Sequence, residues 1–451
     1  ALTPFPLISH PRADAVVAYR SGAPVPAWQF LADVRRVAAL LPSGNHVLNV
    51  CSDRYRFAVA FAAGLLSGKV SLLPSTHTPE VIRQLTLFAP DVFCVTDEAQ
   101  CRIDLPRVQF PDSVPAEPAA GQSVEIDAEC LAAYVFTSGS TGTPLPYRKT
   151  WGRLVSCVRH EAERLGLLDG RSHAIVGTVP PQHMYGFEST VLLALQSGNA
   201  FSSGRPFYPA DVSDELSSVP QPRVLVTTPV HLRALLAAEI PVPQTDLILS
   251  ATAPLSRNLA RDVEQRCGTR LLEIYGSTET GQIACRRTAE ASEWQLFRGV
   301  RLSGGEGQTW AQGGHIEQPT ALCDVVEITA EDRFLLHGRL SDLVNIAGKR
   351  SSLAYLDHQL NAIPGVLDGA FFIRDESAAS PAGVTRVAAL VVAPGVDTAA
   401  LTEQLRQRID PVFLPRPLLF VDALPRNATG KLPLEALHAL AAAALKRAGR
   451  K

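Results

Sequence analysis

Short runs of aliphatic and β-branched residues recur between residues 46 and 275, and longer segments of mixed apolar and polar residues separate them. The runs have the length of buried strands, and intervening segments such as YRFAVAFAAGLLS (55–67) and VHLRALLAAEI (230–240) have the length of helices. The runs are HVLNV (46–50), VSLLP (70–74), DVFCV (91–95), AYVF (133–136), AIVGTV (174–179), RVLVTT (223–228), DLILSA (246–251) and RLLEIY (270–275). The alternation predicts an α/β fold of mostly parallel sheets with crossover helices.

The pattern changes in the last third of the chain. Glycines and short strand-like runs between about 290 and 338 predict a small β unit beside the main sheet. After Gly338 the chain restarts with strand-like runs and helix-like segments of its own. The strand-like runs are VLDGAFFI (366–373), RVAALVVA (386–393) and PLLFV (417–421), and the helix-like segments are LTEQLRQRI (401–409) and PLEALHALAAAALKRA (433–448). We therefore expect a large N-terminal domain (1–340) and a smaller α+β C-terminal domain (341–451).

Charge and composition exclude several classes of partner. The 451 residues carry a formal net charge of -2, so no strong field of one sign is available to hold nucleic acid. We find no unbroken apolar stretch long enough to span a membrane, and the first residues lack the pattern of a secretory signal. The eight cysteines contain no CxxC pair, so neither a disulfide framework nor a zinc knuckle is expected. These observations favour a cytoplasmic enzyme.

The segment YVFTSGSTGTPLPYRKTW (134–151) follows a predicted strand and concentrates glycine and hydroxyl residues. A loop at the carboxyl end of a sheet strand lies where α/β folds bind ligands, and its amides and hydroxyls can surround phosphate oxygens. It does not fit the GxxxxGK[ST] phosphate loop or the GxSxG nucleophile elbow. The alternative is a Ser/Thr/Gly turn or a flexible linker.

A second glycine and hydroxyl segment, EIYGSTETG (273–281), also follows a predicted strand. The ring of Tyr275 is suited to stacking on a purine, and Gly276 permits a tight turn beside it. Thr278 offers a hydroxyl to a phosphate, and Glu279 offers the hard oxygen that Mg²⁺ prefers. The alternative is a strand followed by a helix that Ser277 or Thr278 caps.

Together with four further segments, these two resemble the ANL superfamily of adenylate-forming enzymes, which includes acyl- and aryl-CoA synthetases. The further segments are PPQHMYGFES (180–189), LSATAPL (249–255), ALCDVVEITAEDRFLLHGRLSDLVNIAGKR (321–350) and LPRNATGKLPLEAL (424–437). They occur in the order of the family, and the resemblance covers the chain from about residue 50 to 435. The resemblance implies the α/β fold predicted above, with a mobile C-terminal domain.

The resemblance also implies the site residues. The ATP and AMP site comprises Thr137, Ser138, Gly139, Ser140, Thr141, Gly142, Lys149, Ala251, Thr252, Ala253, Tyr275, Gly276, Ser277, Asp324 and Arg339. The acyl pocket comprises His183, Tyr185, Gly186, Phe187, Gln282 and Ile283. Thr278, Glu279 and Lys431 are the implied catalytic residues, and Glu279 is also the implied Mg²⁺ ligand. Without the resemblance, His183 fits a core histidine and Asp324 with Arg339 fits a surface pair on a hairpin.

The resemblance implies two half-reactions in one site. ATP and a carboxylic acid form an acyl-adenylate, and the acyl group then passes to the thiol of CoA or of phosphopantetheine on an acyl carrier protein. Ser341 occupies the hinge position, and Gly348, Lys349 and Arg350 occupy the thiol side. The mostly apolar pocket favours an aryl or medium-chain acid.

Three departures from the family pattern leave an alternative open, and one of them is serine at the hinge position, Ser341. Pro144 is followed by Leu145, where the family has a lysine, so Lys149 or the adjacent Arg148 is expected to supply that charge. The chain is also short for the family. The alternative is a degenerate protein that binds nucleotide or acyl groups without turnover.

Overall fold

The computed structural model describes residues 4–74, 76–111, 124–137, 145–305, 308–339, 343–346, 349–373, 386–427 and 430–448. Two short strands, β1 (Phe5–Pro6) and β8 (Glu125–Ile126), pair with each other. The other described strands form two large sheets and three smaller ones of two or three strands.

The first large sheet has six strands in the order β10-β9-β5-β4-β6-β7. Their bounds are β4 (His46–Asn49), β5 (Val70–Leu73), β6 (Phe93–Thr96), β7 (Arg107–Gln109), β9 (Leu131–Thr137) and β10 (Leu145–Thr150). All neighbours are parallel except β9 and β10. Helix α2 (Arg54–Leu66) connects β4 to β5, and α3 (Pro79–Phe88) connects β5 to β6.

The second large sheet has eleven strands in the order β21-β22-β17-β16-β15-β14-β13-β11-β12-β2-β3. Its parallel part consists of β2 (Val16–Arg20), β11 (Ala174–Gly177), β12 (Ala200–Ser202), β13 (Arg223–Thr227), β14 (Leu247–Ser250) and β15 (Leu271–Ser277). Antiparallel strands extend both edges. They are β3 (Ala23–Pro26), β16 (Gly281–Arg286), β17 (Trp294–Leu296), β21 (Asp324–Ala330) and β22 (Arg333–Arg339).

The other helices before the C-terminal part lie between Ala27 and Cys267. They are α1 (Ala27–Ala38), α4 (Trp151–Leu165), α5 (Met184–Gly186), a π-helix (Phe187–Leu192), α6 (Leu193–Ser197), α7 (Pro209–Ser218), α8 (Pro229–Ala237) and α9 (Arg257–Cys267). Ser256 caps α9, because its hydroxyl accepts a hydrogen bond from the Leu259 amide. Gly268 ends the same helix in a left-handed conformation.

One hydrophobic core joins the two large sheets. It contains Val47 and Val135 from the first sheet and Val226 and Leu249 from the second. Helix α2 is buried along almost its whole length, which explains why its sequence is apolar on all sides. Because the core holds the sheets and helices together, the loops at the strand ends are positioned by a rigid frame.

The chain then forms a small sheet and a compact C-terminal part. The small sheet contains β18 (Val300–Gly305), β19 (Gln308–Gly313) and β20 (Thr320–Ala321). The C-terminal strands are β23 (Leu343–Ile346), β24 (Lys349–Ser352), β25 (Asp368–Ile373), β26 (Val387–Val392) and β27 (Leu418–Phe420). Its helices are α10 (Leu353–Asn361), α11 (Thr398–Arg406), a 3₁₀ turn (Pro411–Phe413) and α12 (Leu434–Ala448). Its apolar residues form clusters of their own.

The predicted fold class is confirmed. Each strand-like run named in the sequence analysis overlaps a strand of the structure, and the quoted helix-like segments overlap α2, α8, α11 and α12. The predicted β unit is divided, because β18, β19 and β20 form a separate sheet whereas β21 and β22 join the second large sheet. No helix in the described residues is long and apolar enough to cross a membrane, and the cysteines there are all free.

Candidate active site

The carboxyl ends of the parallel strands gather the predicted nucleotide loops at one edge of the second sheet. Thr227 at the end of β13 pairs with Ser250 at the end of β14, and Ser250 pairs with Glu273 in β15. The chain continues from Ser250 into Ala251, Thr252 and Ala253. Thr252 has a φ angle of 77°, a left-handed conformation that costs a β-branched residue roughly 1 kcal/mol or more. The surrounding structure therefore holds this turn in a strained conformation.

Tyr275 and Asp324 form a direct contact. The Tyr275 hydroxyl donates a hydrogen bond to Asp324 Oδ2 at 2.7 Å. The Tyr275 ring lies against Trp294 and Phe334, with centroid distances of 5.5 Å to each. These rings fix the orientation of the phenol, and the phenol in turn orients the carboxylate. The expected stacking of Tyr275 on a purine stays a prediction.

Asp324 and Arg339 face each other across the β21–β22 hairpin, where they are paired residues of the register. The fifteen positions that separate them in the sequence therefore span the two arms of one hairpin. Of Arg339 the structure describes the backbone alone. The hairpin brings this backbone opposite the carboxylate that Tyr275 orients.

The turn after β15 is closed by its own hydroxyl groups. The Thr280 amide donates to Ser277 Oγ, and the Ser277 amide donates to Thr280 Oγ1, both at 3.2 Å. A Cβ atom on Gly276 would lie 2.3 Å from the Gly281 carbonyl oxygen, so glycine is required there. Thr278 and Glu279 lie between these residues and are half-buried. The segment is a strand-to-strand turn, so the alternative of a capped helix is not observed.

Lys149 supports this turn by a hydrogen bond to its backbone. Its Nζ donates a hydrogen bond to the Glu279 carbonyl oxygen at 3.2 Å, and its side chain is buried. Burial lowers its pKa, while nearby Glu188, Cys157, Glu279 and Glu317 oppose that shift. Leu145 is exposed and lies four residues earlier on the same face of β10, about 13 Å away at 3.3 Å per residue. Lys149 therefore contacts the backbone of the Glu279 turn. Its expected phosphate contact stays a prediction.

His183 begins the helical run that contains the predicted acyl-pocket residues. Burial lowers its pKa to about 4, and Lys431, Arg205 and His77 add to the shift. The ring is consequently neutral near pH 7. Gly186 is required by packing, because a Cβ atom there would lie 2.2 Å from the Pro180 carbonyl oxygen.

Lys431 lies on a turn that contacts the body of the protein. The Lys431 amide donates to Asn427 Oδ1 at 2.9 Å, and Gly430 has a left-handed φ angle of 79°. A Cβ atom on Gly430 would lie 3.1 Å from Val230 Cγ2 and 3.7 Å from Ala253 Cβ. Because Val230 and Ala253 follow β13 and β14, the turn that carries Lys431 lies at the strand-end edge of the sheet.

Arg426 ties this turn to the rest of the C-terminal part. Its guanidinium group donates two hydrogen bonds to the Asp368 carboxylate, at 2.7 and 2.8 Å. The guanidinium group donates a third hydrogen bond, from Nη1, to the Gly430 carbonyl oxygen at 3.1 Å. Such a two-point ion pair is geometrically specific. It makes the Lys431 turn part of the same packed unit as β25.

Most of the residues that the sequence analysis predicted for the acyl pocket are buried. Tyr185, Gln282 and Ile283 are buried. Phe187 lies in the core, edge to face with Phe57 and Phe61. Gln282 Nε2 donates to Ser189 Oγ at 2.8 Å. Their contact with an acyl group stays a prediction.

Sequence reasoning missed a buried polar cluster beside these residues. Its members are Cys157, Glu161, Glu188, Ser189 and His315. Ser189 Oγ donates to Glu161 Oε1 at 2.7 Å, and Cys157 Sγ lies 3.5 Å from Glu188 Oε1. Burial raises the pKa of Glu161 to about 8 and that of Glu188 to about 7. Burial lowers the pKa of His315 to about 3. The sequence of α4 contained one sign of this cluster, because Glu161 interrupts an apolar stripe formed by Leu154, Val158 and Leu165.

Arg54 is a second buried residue that the sequence did not reveal. Its guanidinium group donates to the carbonyl oxygens of Gly177 at 2.8 Å, Val179 at 2.9 Å and Ser202 at 3.1 Å. These bonds attach α2 to the segment that leads into His183. Arg54 therefore acts on the site through the backbone it holds.

Several predicted residues lie outside the described residues. They are Ser138, Gly139, Ser140, Thr141, Gly142, Ser341 and Gly348. Thr137, Lys349 and Arg350 are described through their backbones, in β9 and β24. The phosphate-loop, hinge and thiol-side assignments thus stay predictions.

Comparison with known proteins identifies the family of the chain. Residues 10–302 match the family described as AMP-binding enzyme. The chain is 30% identical over 308 residues to a 4-coumarate–CoA ligase of Rhodobacter capsulatus, covering 67% of this chain and 75% of the relative. It is 25% identical over 378 residues to an indoleacetate–CoA ligase of Aromatoleum aromaticum, covering 73% of this chain and 70% of the relative.

Solved structures with low sequence identity share the fold. ATP-bound MatB from Rhodopseudomonas palustris has a TM-score of 0.81 at 19% identity and covers 96% of this chain and 97% of its own. An o-succinylbenzoate CoA synthetase of Bacillus subtilis, solved with its acyl-adenylate intermediate, has a TM-score of 0.78 at 18% identity with the same coverage. Order of motifs, fold and sequence match converge, and the chain belongs to the AMP-binding enzyme family, within the ANL superfamily of adenylate-forming enzymes.

Proposed function

We propose that the protein is an ATP-dependent acid–thiol ligase that releases pyrophosphate as it forms an acyl-adenylate, then transfers the acyl group to a phosphopantetheine thiol. The thiol belongs to CoA or to an acyl carrier protein. Relatives named as CoA ligases support the CoA alternative. The carrier-protein alternative rests on the chemical identity of the two phosphopantetheine arms.

The position of the Lys431 turn is the observation that carries this proposal. Gly430 packs on residues after β13 and β14, and the charge of Lys431 acts on His183. In the proposed site this cation from the C-terminal part acts together with Glu279, Tyr275 and Asp324. A site for two anionic reactants requires such a convergence, because the α-phosphate gains negative charge as the carboxylate attacks it.

The residues divide this work. Lys431 lies between the carboxylate of the acid and the α-phosphate, and the loop from Thr137 to Thr141 binds the β- and γ-phosphates. Asp324 and Arg339 bind the ribose hydroxyls, and Ala251 to Ala253 with Tyr275 to Ser277 border the adenine. Thr278 donates its hydroxyl to the α-phosphate. Lys149 holds the backbone of Glu279 through its carbonyl oxygen.

The same turn fits a magnesium ion. The described residues contain no group of three His, Cys, Asp or Glu side chains that could form a protein-only metal site. Mg²⁺ needs no such group, because it is commonly bound by one or two carboxylates with phosphate oxygens and water. Glu279 supplies one half-buried carboxylate beside Thr278. Bound there, Mg²⁺ would neutralise charge on the phosphate oxygens.

The acid is an aryl or medium-chain acid that enters between the His183–Gly186 segment and β16. Tyr185 and Ile283 give this region apolar walls. The 4-coumarate and indoleacetate named for two relatives are aryl acids, which supports the aryl alternative.

The thiol step follows from a second arrangement of two domains, 1–340 and 341–451. Rotation about Ser341 removes Lys431 from the site and brings Gly348, Lys349 and Arg350 toward it. The Arg426 bonds to Asp368 and Gly430 support motion of the Lys431 turn together with its domain.

Pyrophosphate exchange with a panel of benzoic, cinnamic and medium-chain acids tests the proposal. Replacing Lys431 by Ala should reduce exchange about 10² to 10³-fold, because one donor to the developing charge is lost. Thioester formation from supplied acyl-AMP should continue. Lys446→Ala, an exposed lysine on α12, is the matched control.

The degenerate binding protein is the rival candidate, and the same experiment separates the two. Binding of ATP or acids without exchange for any acid would favour the rival. Exchange that survives Lys431→Ala nearly intact would remove Lys431 from the mechanism.

A further inference from the structure

Two side chains that are distant in the sequence hold the turn that carries Thr278 and Glu279 from inside the protein. Lys149 Nζ donates a hydrogen bond to the Glu279 carbonyl oxygen at 3.2 Å. His315 Nε2 lies 3.1 Å from the carbonyl oxygen of the next residue, Thr280. Both side chains are buried. Two consecutive peptide groups of the turn are therefore fixed by side-chain hydrogen bonds.

The contact with Thr280 determines which nitrogen of His315 carries the proton. A carbonyl oxygen only accepts hydrogen bonds, so Nε2 must be the donor. Burial lowers the pKa of the ring to about 3, so the ring is neutral near pH 7 and Nδ1 carries no proton. Nδ1 is buried and has no hydrogen-bond partner among the described residues. The single donor of this ring is thus used on the turn.

The end of the turn is enclosed by the same side chains. Thr280 Oγ1 donates to the Gly281 carbonyl oxygen at 2.8 Å, and Cys157 Sγ lies 3.6 Å from the Gln282 carbonyl oxygen. A Cβ atom on Gly281 would lie 3.4 Å from His315 Nε2 and 3.5 Å from Cys157 Sγ. Four successive carbonyl oxygens therefore have side-chain contacts, and a shift of the turn would disturb several of them together.

The two supporting side chains come from two other sheets. Lys149 lies in β10, the edge strand of the first large sheet, whereas the turn belongs to the second. His315 lies in the connection between β19 and β20 of the small sheet. Arg153 of α4 holds this connection, because its Nη1 donates to the Gly314 carbonyl oxygen at 3.2 Å. The first sheet and the small sheet thus each supply one donor to the turn.

The surroundings of Lys149 favour this internal role over a contact with pyrophosphate. Its side chain is buried, and Glu188, Glu279 and Glu317 attract its positive charge. The charge of the ammonium group is thus balanced by carboxyl groups of the protein. A pyrophosphate group beside it would add negative charge to a region that already contains three such groups.

We propose that Lys149 and His315 are positioning residues for acyl-adenylate formation, which hold the backbone of the turn so that Thr278 and Glu279 keep one direction toward the α-phosphate. The inference rests on the proposed ligase function and gives Lys149 a role other than the phosphate contact that the sequence predicts. Neither side chain touches the reactants. Because the turn is held before ATP binds, loss of either donor slows the chemical step more than it weakens binding.

Steady-state kinetics of pyrophosphate exchange test this role. Lys149→Met and His315→Met should each lower kcat about 10 to 10²-fold and leave KM for ATP and for pyrophosphate within about threefold of the wild type. His315→Gln should stay within about threefold in kcat, because its amide nitrogen also donates and reaches about as far as Nε2. A KM raised about tenfold or more in Lys149→Met with an unchanged kcat would overturn the inference, since it would indicate a phosphate contact.

The double variant tests whether the two residues act on one turn. Both bonds hold adjacent peptide groups, so Lys149→Met with His315→Met should be at most about threefold slower than the slower single variant. Losses of kcat that multiply would show two independent effects and would overturn the inference.

Lys69 and His173 provide matched controls for the loss of a buried hydrogen bond. Lys69 Nζ donates to the Gly44 carbonyl oxygen at 2.7 Å, and His173 Nε2 lies 3.1 Å from Asp169 Oδ1. Both side chains are buried and directly precede parallel strands, β5 and β11, at the amino ends of the sheets. Lys69→Met and His173→Met should lower the melting temperature and keep kcat within about threefold. Equal losses of kcat in the controls would show a general effect of destabilisation and would overturn the inference.

Two measurements without turnover complete the test. Calorimetric titration with a non-hydrolysable ATP analogue should give dissociation constants within about threefold for the wild type and Lys149→Met, and binding weakened about tenfold would overturn the inference alone. Nitrogen-15 NMR of the wild type near pH 7 should show His315 protonated at Nε2, with its signal identified by its absence from His315→Gln. A proton at Nδ1 would exclude the bond to Thr280, even where a Met variant fails to fold. Absence of exchange with every acid in the wild type would instead overturn the ligase function, and this inference with it.

Discussion

At the scale of single residues, the site is built from groups whose ordinary chemistry is changed by what surrounds them. Tyr275 is held by two aromatic rings so that its hydroxyl reaches Asp324. Lys149 is buried under the backbone of Glu279. His183 is held neutral by burial and by the nearby positive charge of Lys431. Near pH 7 the positive charge of this pair therefore belongs to Lys431 and not to His183.

The depressed pKa of His183 predicts a dependence of stability on pH. An unfolded histidine titrates near 6.5, whereas burial and then Lys431 lower the native pKa to about 4. Between these values the unfolded chain binds a proton that the native protein does not. The contribution of His183 is therefore complete above about pH 7 and is lost as the pH falls through 4.

Urea unfolding at pH 7 and pH 5 measures this effect. The loss of unfolding free energy on going to pH 5 should be smaller in His183→Asn than in the wild type, by about 1 to 2 kcal/mol. His337→Asn, at an exposed position, serves as the control. Identical losses in wild type and His183→Asn would contradict the assigned shift.

At the scale of elements, the strands were predictable because buried parallel strands are short and apolar and their connections are helical. Asp324 and Arg339 could be paired from the resemblance, and the β21–β22 register shows the hairpin that joins them. The direction of side chains could not be read in this way. Phe187 was expected at the acyl pocket, and it contacts Phe57 and Phe61 in the core.

Glu161 shows why the rest of the site was missed. A polar residue within the apolar stripe of α4 signals burial but not its partners, which come from the π-helix and β16. Such partners are distant in sequence and are brought together only by the packing of the two sheets. Lys149 was expected near the phosphates, and its bond to Glu279 likewise depends on the β10–β9 pairing.

The turn between β15 and β16 predicts a specific effect of Gly276→Ala. The added Cβ atom would lie 2.3 Å from the Gly281 carbonyl oxygen, so the backbone that carries Thr278 and Glu279 must move. We expect a loss of about 1 to 3 kcal/mol in unfolding free energy and at least a tenfold loss of kcat/KM in pyrophosphate exchange, since small displacements at a reacting site are costly.

Gly64→Ala is the matched control for this change. Its added Cβ atom would meet Val47 Cγ1 at an ordinary 3.4 Å, within helix α2 where alanine is favoured over glycine by up to about 1 kcal/mol. Stability and exchange should be kept or improved. A Gly276→Ala variant with wild-type kinetics would show that the turn tolerates the displacement.

At the scale of the whole molecule, the C-terminal part contacts the body at the Lys431 turn and near α8. Gly430 packs on Val230 and Ala253, and Arg233 of α8 lies near Asp368 and Arg426. The Asp368–Arg426 ion pair belongs to the C-terminal part itself. The hydrophobic clusters of this part are its own, which is a condition for rotation as a unit.

Substituting proline at position 341 tests whether such a rotation separates the two half-reactions. Proline fixes its own φ angle and restricts the residue before it, so Ser341→Pro should hinder a hinge while leaving the adenylating arrangement accessible. Pyrophosphate exchange should stay within about threefold of the wild type, whereas thioester formation from supplied acyl-AMP should fall at least tenfold, as expected when a gating motion limits one step. Ser341→Ala, which keeps the backbone free to rotate, should leave both steps near wild type. Equal losses of the two half-reactions in Ser341→Pro would place the hinge elsewhere, because a rotation about this residue is required only between them.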